Sequence, residues 1–536
     1  MLSAVVAATG PHLAPARRQA PALAVDGLIH TTAMLTQDVN FIGTHVGNLA
    51  LFAQGAGNSE PSRNDTVNIY NAATAQWTTT VVHGIHNSVD ATSVGDVAIF
   101  AGDNGVAYMF NASSGHWSTA KLAQARYAMA VTTVGSRAIF AGGAYIDRHG
   151  VYKPSSAIDI YNARTGRWTA RNLSDVRDIG TAVTVGELAI FVGGFGSSQS
   201  VAVIYNDATR KWSTTSLSDI PGGAVAVIGD KAMFAGGSGP SGENSVVDIY
   251  DARRGRWSSV ALSDTRDDMA AATAGSLALF AGGFTTLDVH NTVDIYNSAN
   301  GQLSASTLPS GGFGLASANL GNVAIFVGGD DCIGASCLIG DAQLYNGGTG
   351  QWAQIPLSEA RDGIASVTTG EAAIFAGGAY DFPGQNVDLF TLPDLSGSIT
   401  PHHKNVVTVT LTNSGTSALP GPDSVAIYAS TSRTLDGSAV LLGSERVRRT
   451  LIAGVKERVS VPISIPGDLL GGRYHLIAAA GPAGQLVQFA STRKTFALGP
   501  VPVTSRPDAA GRSVFNAGGR ISEFMAWADF PGDLFV

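Results

Sequence analysis

Eight times along this chain an apolar segment breaks at a glycine, resumes, and ends at or near a second glycine. The segments are VGNLALFAQG, VGDVAIFAGD, VGSRAIFAGG, VGELAIFVGG, IGDKAMFAGG, AGSLALFAGG, LGNVAIFVGG and TGEAAIFAGG. Their breaking glycines are Gly47, Gly95, Gly135, Gly186, Gly229, Gly275, Gly321 and Gly370, spaced 48, 40, 51, 43, 46, 46 and 49 residues apart. A period in this range marks a repeat architecture, whose units cannot bury their apolar faces alone. After a variable loop each unit reaches an aromatic: Tyr70, Phe110, Tyr161, Tyr205, Tyr250, Tyr296, Tyr345 or Phe390. Seven residues later six units place Trp77, Trp117, Trp168, Trp212, Trp257 and Trp352, and the sixth unit has Leu303. Turn formers such as NARTGR and NGGTGQ lie between. Each unit reads as four short strands: one before the breaking glycine, one ending at Gly-Gly, one ending at the aromatic, one starting at Trp.

Glycine allows positive φ and close backbone approach between neighbouring sheets. The aromatic and the Trp flank a turn, so they pack as cross-strand neighbours. Their recurrence makes them core rather than a cofactor cage. With 65 glycines in 536 residues and only 14% charged residues, the chain suits an all-β protein with many turns.

The double glycine followed by Tyr and Trp resembles the kelch repeat, over roughly residues 28 to 392. Two units depart locally, with Gly102-Asp103 and Gln54-Gly55 in place of Gly-Gly. The resemblance implies a kelch-type β-propeller over residues 25–394, with eight blades expected and seven as the alternative. The eighth unit lacks a Trp strand and runs into TLPDLSGSITP. The segment before the first unit, Leu28 to Thr36, looks like that missing strand, with His30 where Trp would stand. Donating it to the last blade would remove an open sheet edge.

From about Gly397 the grammar changes. VVTVTLTNSG, DSVAIYAST, AVLLGSERV, VKERVSVPISIP and RYHLIAAAG read as strands of an immunoglobulin-like sandwich over residues 395–499. This part is similar to the CARDB-type modules of bacterial surface proteins. That family's acidic, Asn-rich ending is replaced by FASTRKTFAL, which puts its ion site in doubt. Residues 500–536 read as a linker or tail, or a truncated further module, with Phe524, Trp527, Phe530 and Phe535 near its end. Residues 1–24 read either as a disordered leader or as a poor secretion signal, since no basic stretch precedes the apolar run Leu2 to Ala8.

The formal net charge of −8 disfavours nucleic acid as a partner. No apolar run approaches the ~20 residues of a membrane-spanning helix. The two cysteines, Cys332 and Cys337, do not have zinc-site spacing; a loop disulfide is the better reading, with two free thiols as the alternative. A disulfide would imply an oxidising compartment.

Nine residues before the breaking glycine stand Arg126, Arg177, Arg266 and Arg361, three of them followed by Asp178, Asp267 and Asp362. Kelch repeats carry Arg at this place. The arginines either line the mouth of the propeller, binding carboxylates or sugars bidentately, or pair with acids to stitch blades together. Asp159, Asp248, Asp294 and Asp388, each two residues before the strand-ending aromatic, read as structural. Recognition is expected on the variable loops after Gly-Gly. Catalytic signals fail: GSGPSG at Gly237–Gly242 is followed by a strand, no HExxH or GxSxG occurs, and His402-His403 are the only adjacent histidines. Galactose oxidase also joins a kelch propeller to an immunoglobulin-like domain, but needs a Cys–Tyr crosslink and a copper set. Here the only Tyr-His is Tyr474-His475, inside a sandwich strand. The expectation is therefore a monomeric, non-catalytic binding or adhesion scaffold, exported or on the cell surface, for a protein or glycan. No cofactor, metal site or transmembrane segment is expected. The alternative is a propeller enzyme acting on carbohydrate.

Overall fold

Each repeat folds as the spacing demands, into one antiparallel four-stranded sheet. A computed structural model describes residues 29–33, 41–54, 65–85, 88–173, 178–195, 200–217, 223–239, 242–333, 337–348, 350–369, 372–378, 386–391, 395–402, 405–413, 423–433, 435, 439–447, 456–466, 469, 472–482, 487–498, 503–507 and 513–517. Among them the chain is all-β, with eight four-stranded sheets in its first part. The third sheet is representative: Ala130–Val134, Arg137–Ala141, Ala157–Asn162 and Arg167–Asn172, hydrogen-bonded in that order. Its first hairpin turns through two residues, with Gly135 at a φ of 57°. A two-residue turn with glycine in the first central position matches the twist of the flanking strands.

Burial grades across every sheet. The second strands are mostly apolar and buried on both faces, as in Val97–Gly102, although two begin with the half-buried Arg137 and Lys231. The fourth strands are mostly solvated, as in Arg167–Asn172. The reason is that each sheet is covered by its two neighbours. Ile139, Ile158 and Ile160 of the third sheet share a core with Phe191, Val201 and Val203 of the fourth. The first strands touch one another in sequence order, and that of the eighth sheet, Ala365–Thr368, touches Phe41–Val46 of the first. Phe52 and Tyr70 of the first sheet pack with Ile374 and Leu389 of the eighth. The arrangement is propeller-like.

The aromatic pairs sit as cross-strand neighbours: Tyr161 lies opposite Trp168, with ring centroids 5.3 Å apart, and Trp168 also meets Phe140 at 5.8 Å. The eighth sheet takes its fourth strand from Ile29–Ala33. Its register corrects the expectation for His30, which pairs with Leu389. Ile29 is the residue opposite Phe390, where the other sheets put Trp or Leu303. One residue of offset reverses the faces of a strand.

The second part is built from two sheets. Leu395–His402, Val406–Asn413 and Lys456–Pro462 form one; Val440–Val447, Asp423–Ser430, Gly472–Pro482 and Val487–Ser491 form the other, with Phe496–Leu498 also on Gly472–Pro482. Val409, Leu411, Val425, Ile427, Val461 and Leu476 fill the core between them. Further on, Val503–Pro507 pairs with Ser513–Ala517. The aromatics Phe524 to Phe535, the leader and His403 lie outside the described residues.

Candidate binding surface

Antiparallel order puts two kinds of connection at the same end of every sheet: the loop joining one sheet to the next, and the loop between second and third strands. The first kind carries the arginines. Arg126, Arg266 and Arg361 are among the largest fully buried side chains. Each reaches a carboxylate on the third strand of the sheet its loop leads into. Arg126 Nη1 donates to Asp159 at 2.9 Å, Arg361 Nη2 to Asp388 at 2.5 Å, and Arg266 Nη2 to Asp294. Backbone carbonyls take further donors, such as Gly142 for Arg126 at 2.9 Å and Thr292 for Arg266 at 2.7 Å. The same carboxylates hold the loop backbone: Asp159 accepts from Ala123 N at 2.9 Å and Asp388 from Ser358 N at 3.2 Å. Burial alone would push the Arg266 and Arg361 guanidiniums down, and the paired acids oppose it. These three arginines are therefore loop fasteners. Their burial leaves no guanidinium face for a ligand.

The partner acids are thus Asp159, Asp294 and Asp388, and not the acids next in sequence to the arginines. Asp267 accepts instead from Ser238 Oγ at 2.6 Å, bridging to a loop of the fifth sheet. Asp362 is half-buried, and its carbonyl lies where a side chain on Gly378 would go. Asp178 begins the first strand of the fourth sheet, and Arg177 lies outside the described residues. In the repeat of Arg177 the position two before the aromatic is Val203.

Adjacent sheets are stitched through backbone. Gly237 N donates to Arg266 O at 3.0 Å, Gly283 N to Gly312 O at 2.8 Å and Gly329 N to Arg361 O at 3.0 Å. A Cβ on Gly328 would strike Arg361 O of the next sheet's loop, and one on Gly329 would strike Phe313 O of its own. Gly328 and Gly329 also hold φ of 64° and 93°. At this strand end the double glycine lets two loops close where any Cβ would clash.

Two acids near these loops are perturbed. Asp90, on the first strand of the second sheet, accepts from Met129 N at 3.1 Å, and burial pushes its carboxyl up to about 7. Burial and the neighbouring Asp267 raise Asp268.

The loops between second and third strands are different. Of the large apolar side chains found exposed among the described residues, all but Val81 lie there: Ile146, Val151, Tyr152, Leu287 and Ile333. In the third sheet the loop is a projecting hairpin, Ala144–Ile146 paired with Tyr152–Pro154. Its tip is set by Asp147 Oδ1, which accepts from His149 N at 2.8 Å and Val151 N at 3.0 Å, holding that carboxyl below its usual range. In the seventh sheet Cys332 and Cys337 are joined by a disulfide, with Cα atoms 5.4 Å apart. Between the loops of the sixth and seventh sheets lies a cavity of about 420 Å³ walled by Leu287, Asp288, Val289, Asn291, Asp331 and Ile333. Sequence reasoning missed it because its walls come from two repeats.

The oxidase constellation does not assemble. Tyr474 is buried in the sandwich core, and His475 Nδ1 lies 2.7 Å from Thr492 O. The two cysteines are bonded to each other, which leaves neither for a Tyr crosslink. Among the described residues no helix is long and apolar enough to cross a membrane.

No protein-family model matches this chain, and no curated protein matches it. Among solved structures, the computationally designed Ika8 protein is similar over 67% of this chain and 98% of its own, at 12% identity and a TM-score of 0.47. YjhT is similar over 60% of this chain and 98% of its own, at 13% identity and a TM-score of 0.37. At these scores neither likeness bears on function.

Proposed function

We propose that the chain is an exported, eight-bladed kelch-type propeller carrying a CARDB-like immunoglobulin module, and that it is a non-catalytic scaffold binding a protein partner through its loop face. Eight blades are supported by the eight successive four-stranded sheets and by the packing of the eighth on the first. Export is supported by the Cys332–Cys337 disulfide, a bond that persists in oxidising compartments.

One observation carries the binding role. All but one of the exposed large aliphatic and aromatic side chains among the described residues gather on the loops of one face, while Arg126, Arg266 and Arg361 of the neighbouring loops are buried on carboxylates. Exposed apolar side chains on a rigid frame mark interaction sites. Leucine, isoleucine and valine suit a protein surface better than the polar face of a sugar.

The test compares the full chain with a variant carrying Ile146→Ser, Tyr152→Ser, Leu287→Ser and Ile333→Ser on peptide and glycan arrays. Peptide binding that the variant loses is expected. Glycan binding that the variant retains would overturn the reading.

A further inference from the structure

We infer that the cavity between the loops of the sixth and seventh sheets receives an extended peptide segment in which a lysine or arginine adjoins an aliphatic residue. The inference rests on the loop face being a protein-binding surface. It specifies where on that face recognition occurs and what chemistry it selects.

Its walls present two kinds of contact. Leu287 is 92% exposed and Ile333 50% exposed, and both border the same cavity, as does Val289. Asp288 and Asp331, both exposed, border it too. At about 420 Å³ it is an open depression, across which an extended segment would lie rather than be enclosed.

The sign of the charge is one-sided. From the loop within the fifth sheet to the loop within the seventh, the connections on this face carry Glu243, Asp264, Asp267, Asp268, Asp288, Asp330 and Asp331. Against them stand only Arg266 and His290. Arg266 is buried on Asp294, and His290 faces Asp264 at 3.4 Å. The undescribed residues of these loops, Pro240, Ser241, Gly334, Ala335 and Ser336, bear no charge. A cationic partner is attracted to such a face and an anionic one repelled.

Both walls are held in place before anything binds. On one side the disulfide closes the loop, and Asp330 Oδ1 accepts from Cys332 N and Cys337 N, each at 3.0 Å. On the other, Thr285 N donates to Asp288 O at 2.8 Å, and Thr286 N to Glu243 Oε1 at 3.0 Å. A site ordered in advance loses little conformational entropy on binding. The same bonds argue against a metal ion. Asp330 Oδ1 is engaged by backbone and the bonded sulfurs are not thiolates.

The experiment uses the full chain and three labelled peptides of a Gly/Ser background carrying two Arg-Leu, two Glu-Leu or two Arg-Ser pairs. Fluorescence anisotropy is read at low and at raised salt. Binding of the Arg-Leu peptide is expected, weakened about tenfold by Asp288→Asn with Asp331→Asn, and similarly by Leu287→Ser with Ile333→Ser. The Glu-Leu and Arg-Ser peptides are expected to bind at least tenfold more weakly than Arg-Leu. Equal binding of Glu-Leu and Arg-Leu, or no binding of any peptide to the folded chain, would overturn the inference. Loss of Arg-Leu binding in Ile146→Ser with Tyr152→Ser, but not in the Asp288/Asp331 or Leu287/Ile333 variants, would overturn it while leaving the loop face as the binding surface. Indifference to both sets of substitutions would remove both readings.

Discussion

The two kinds of loop on one face of this molecule use the same residue types to opposite ends. The loops between sheets bury their arginines: Arg126, Arg266 and Arg361 lie beneath the surface on Asp159, Asp294 and Asp388. The loops within sheets expose both charge and apolar surface: Asp288, Leu287 and Ile333 project outward. The difference follows from what each loop must do. A loop between sheets sets the approach of two neighbours, so any slack there propagates through the repeat. A loop within a sheet joins strands that are already paired, and its tip is free to vary. Periodic charge in a repeat protein is thus a poor guide to binding, and aperiodic surface a better one.

The sharpest way to break this contrast is to cut a fastener. Arg266→Ala leaves Asp294 buried without its cation, and removing one member of a buried pair costs about 3–5 kcal/mol. Urea unfolding of the full chain measures it. Arg266→Lys is expected to recover only part, because one ammonium nitrogen replaces a fork in which Nη1 serves Gly282 O and Thr292 O while Nη2 serves Asp294. Arg177→Ala, in a repeat with Val203 where the acid would stand, is expected to cost less than Arg266→Ala. Equal losses at both positions would show that the acid partner is not what makes these arginines structural.

A second effect depends on pH. The folded carboxyl of Asp90 sits at about 7 against 3.8 when unfolded, so the folded state holds a proton that the unfolded state has released. Stability from this group is constant below pH about 4, falls as pH rises to about 7, and is flat above. Asp90→Asn keeps an acceptor for Met129 N. It is expected to match the parent at pH 4 and to exceed it by about 2 kcal/mol at pH 8, once partial exposure of the group is allowed for. Identical stability differences at both pH values would assign Asp90 an ordinary carboxyl.

Much of this architecture is legible in the sequence because the repeat states each feature several times. Tyr161 opposite Trp168 recurs with one spacing, so register and pairing follow from it. The acids two residues before the aromatics also repeat, and read as structural. Their link to the arginines did not read, because the partners lie 33, 28 and 27 residues apart across a loop of variable length. The seventh repeat has Gly312 in place of Arg and Gln343 in place of Asp, but the fourth keeps Arg177 with Val203 and the fifth keeps Asp248 with Ile220, so the pairing is not readable from joint loss of charge. In the seventh, Gln343 keeps the other half of the duty, accepting from Ser310 N at 2.8 Å. Where the pattern is stated only once, spacing misleads. Ile29–Ala33 has no Trp to mark its start, and one residue of register was lost.

Smaller effects test whether the exposed loops are as independent of the fold as their burial implies. Reducing Cys332–Cys337 opens a loop of sequence separation 5, and the chain-entropy relation puts the loss at about 2 kcal/mol. If the seventh-sheet loop behaves as a local unit, unfolding of the whole chain should shift by less than that, while amide exchange at Asp331 and Ile333 rises.

The smallest effect on stability belongs to the residues proposed to bind. Leu287 contributes almost nothing to any core at 92% exposure, and Leu287→Ser is expected within about 0.5 kcal/mol of the parent in urea. The same substitution is expected to weaken binding of a cationic aliphatic peptide several-fold. A protein has no folding reason to keep a leucine in water beside an aspartate, so a change in binding without a change in stability would attribute that pairing to recognition. A loss of stability of more than about 1 kcal/mol would instead make Leu287 part of the packing between the sixth and seventh sheets. The contrast between fastened and free loops would then fail at the place where it is drawn most sharply.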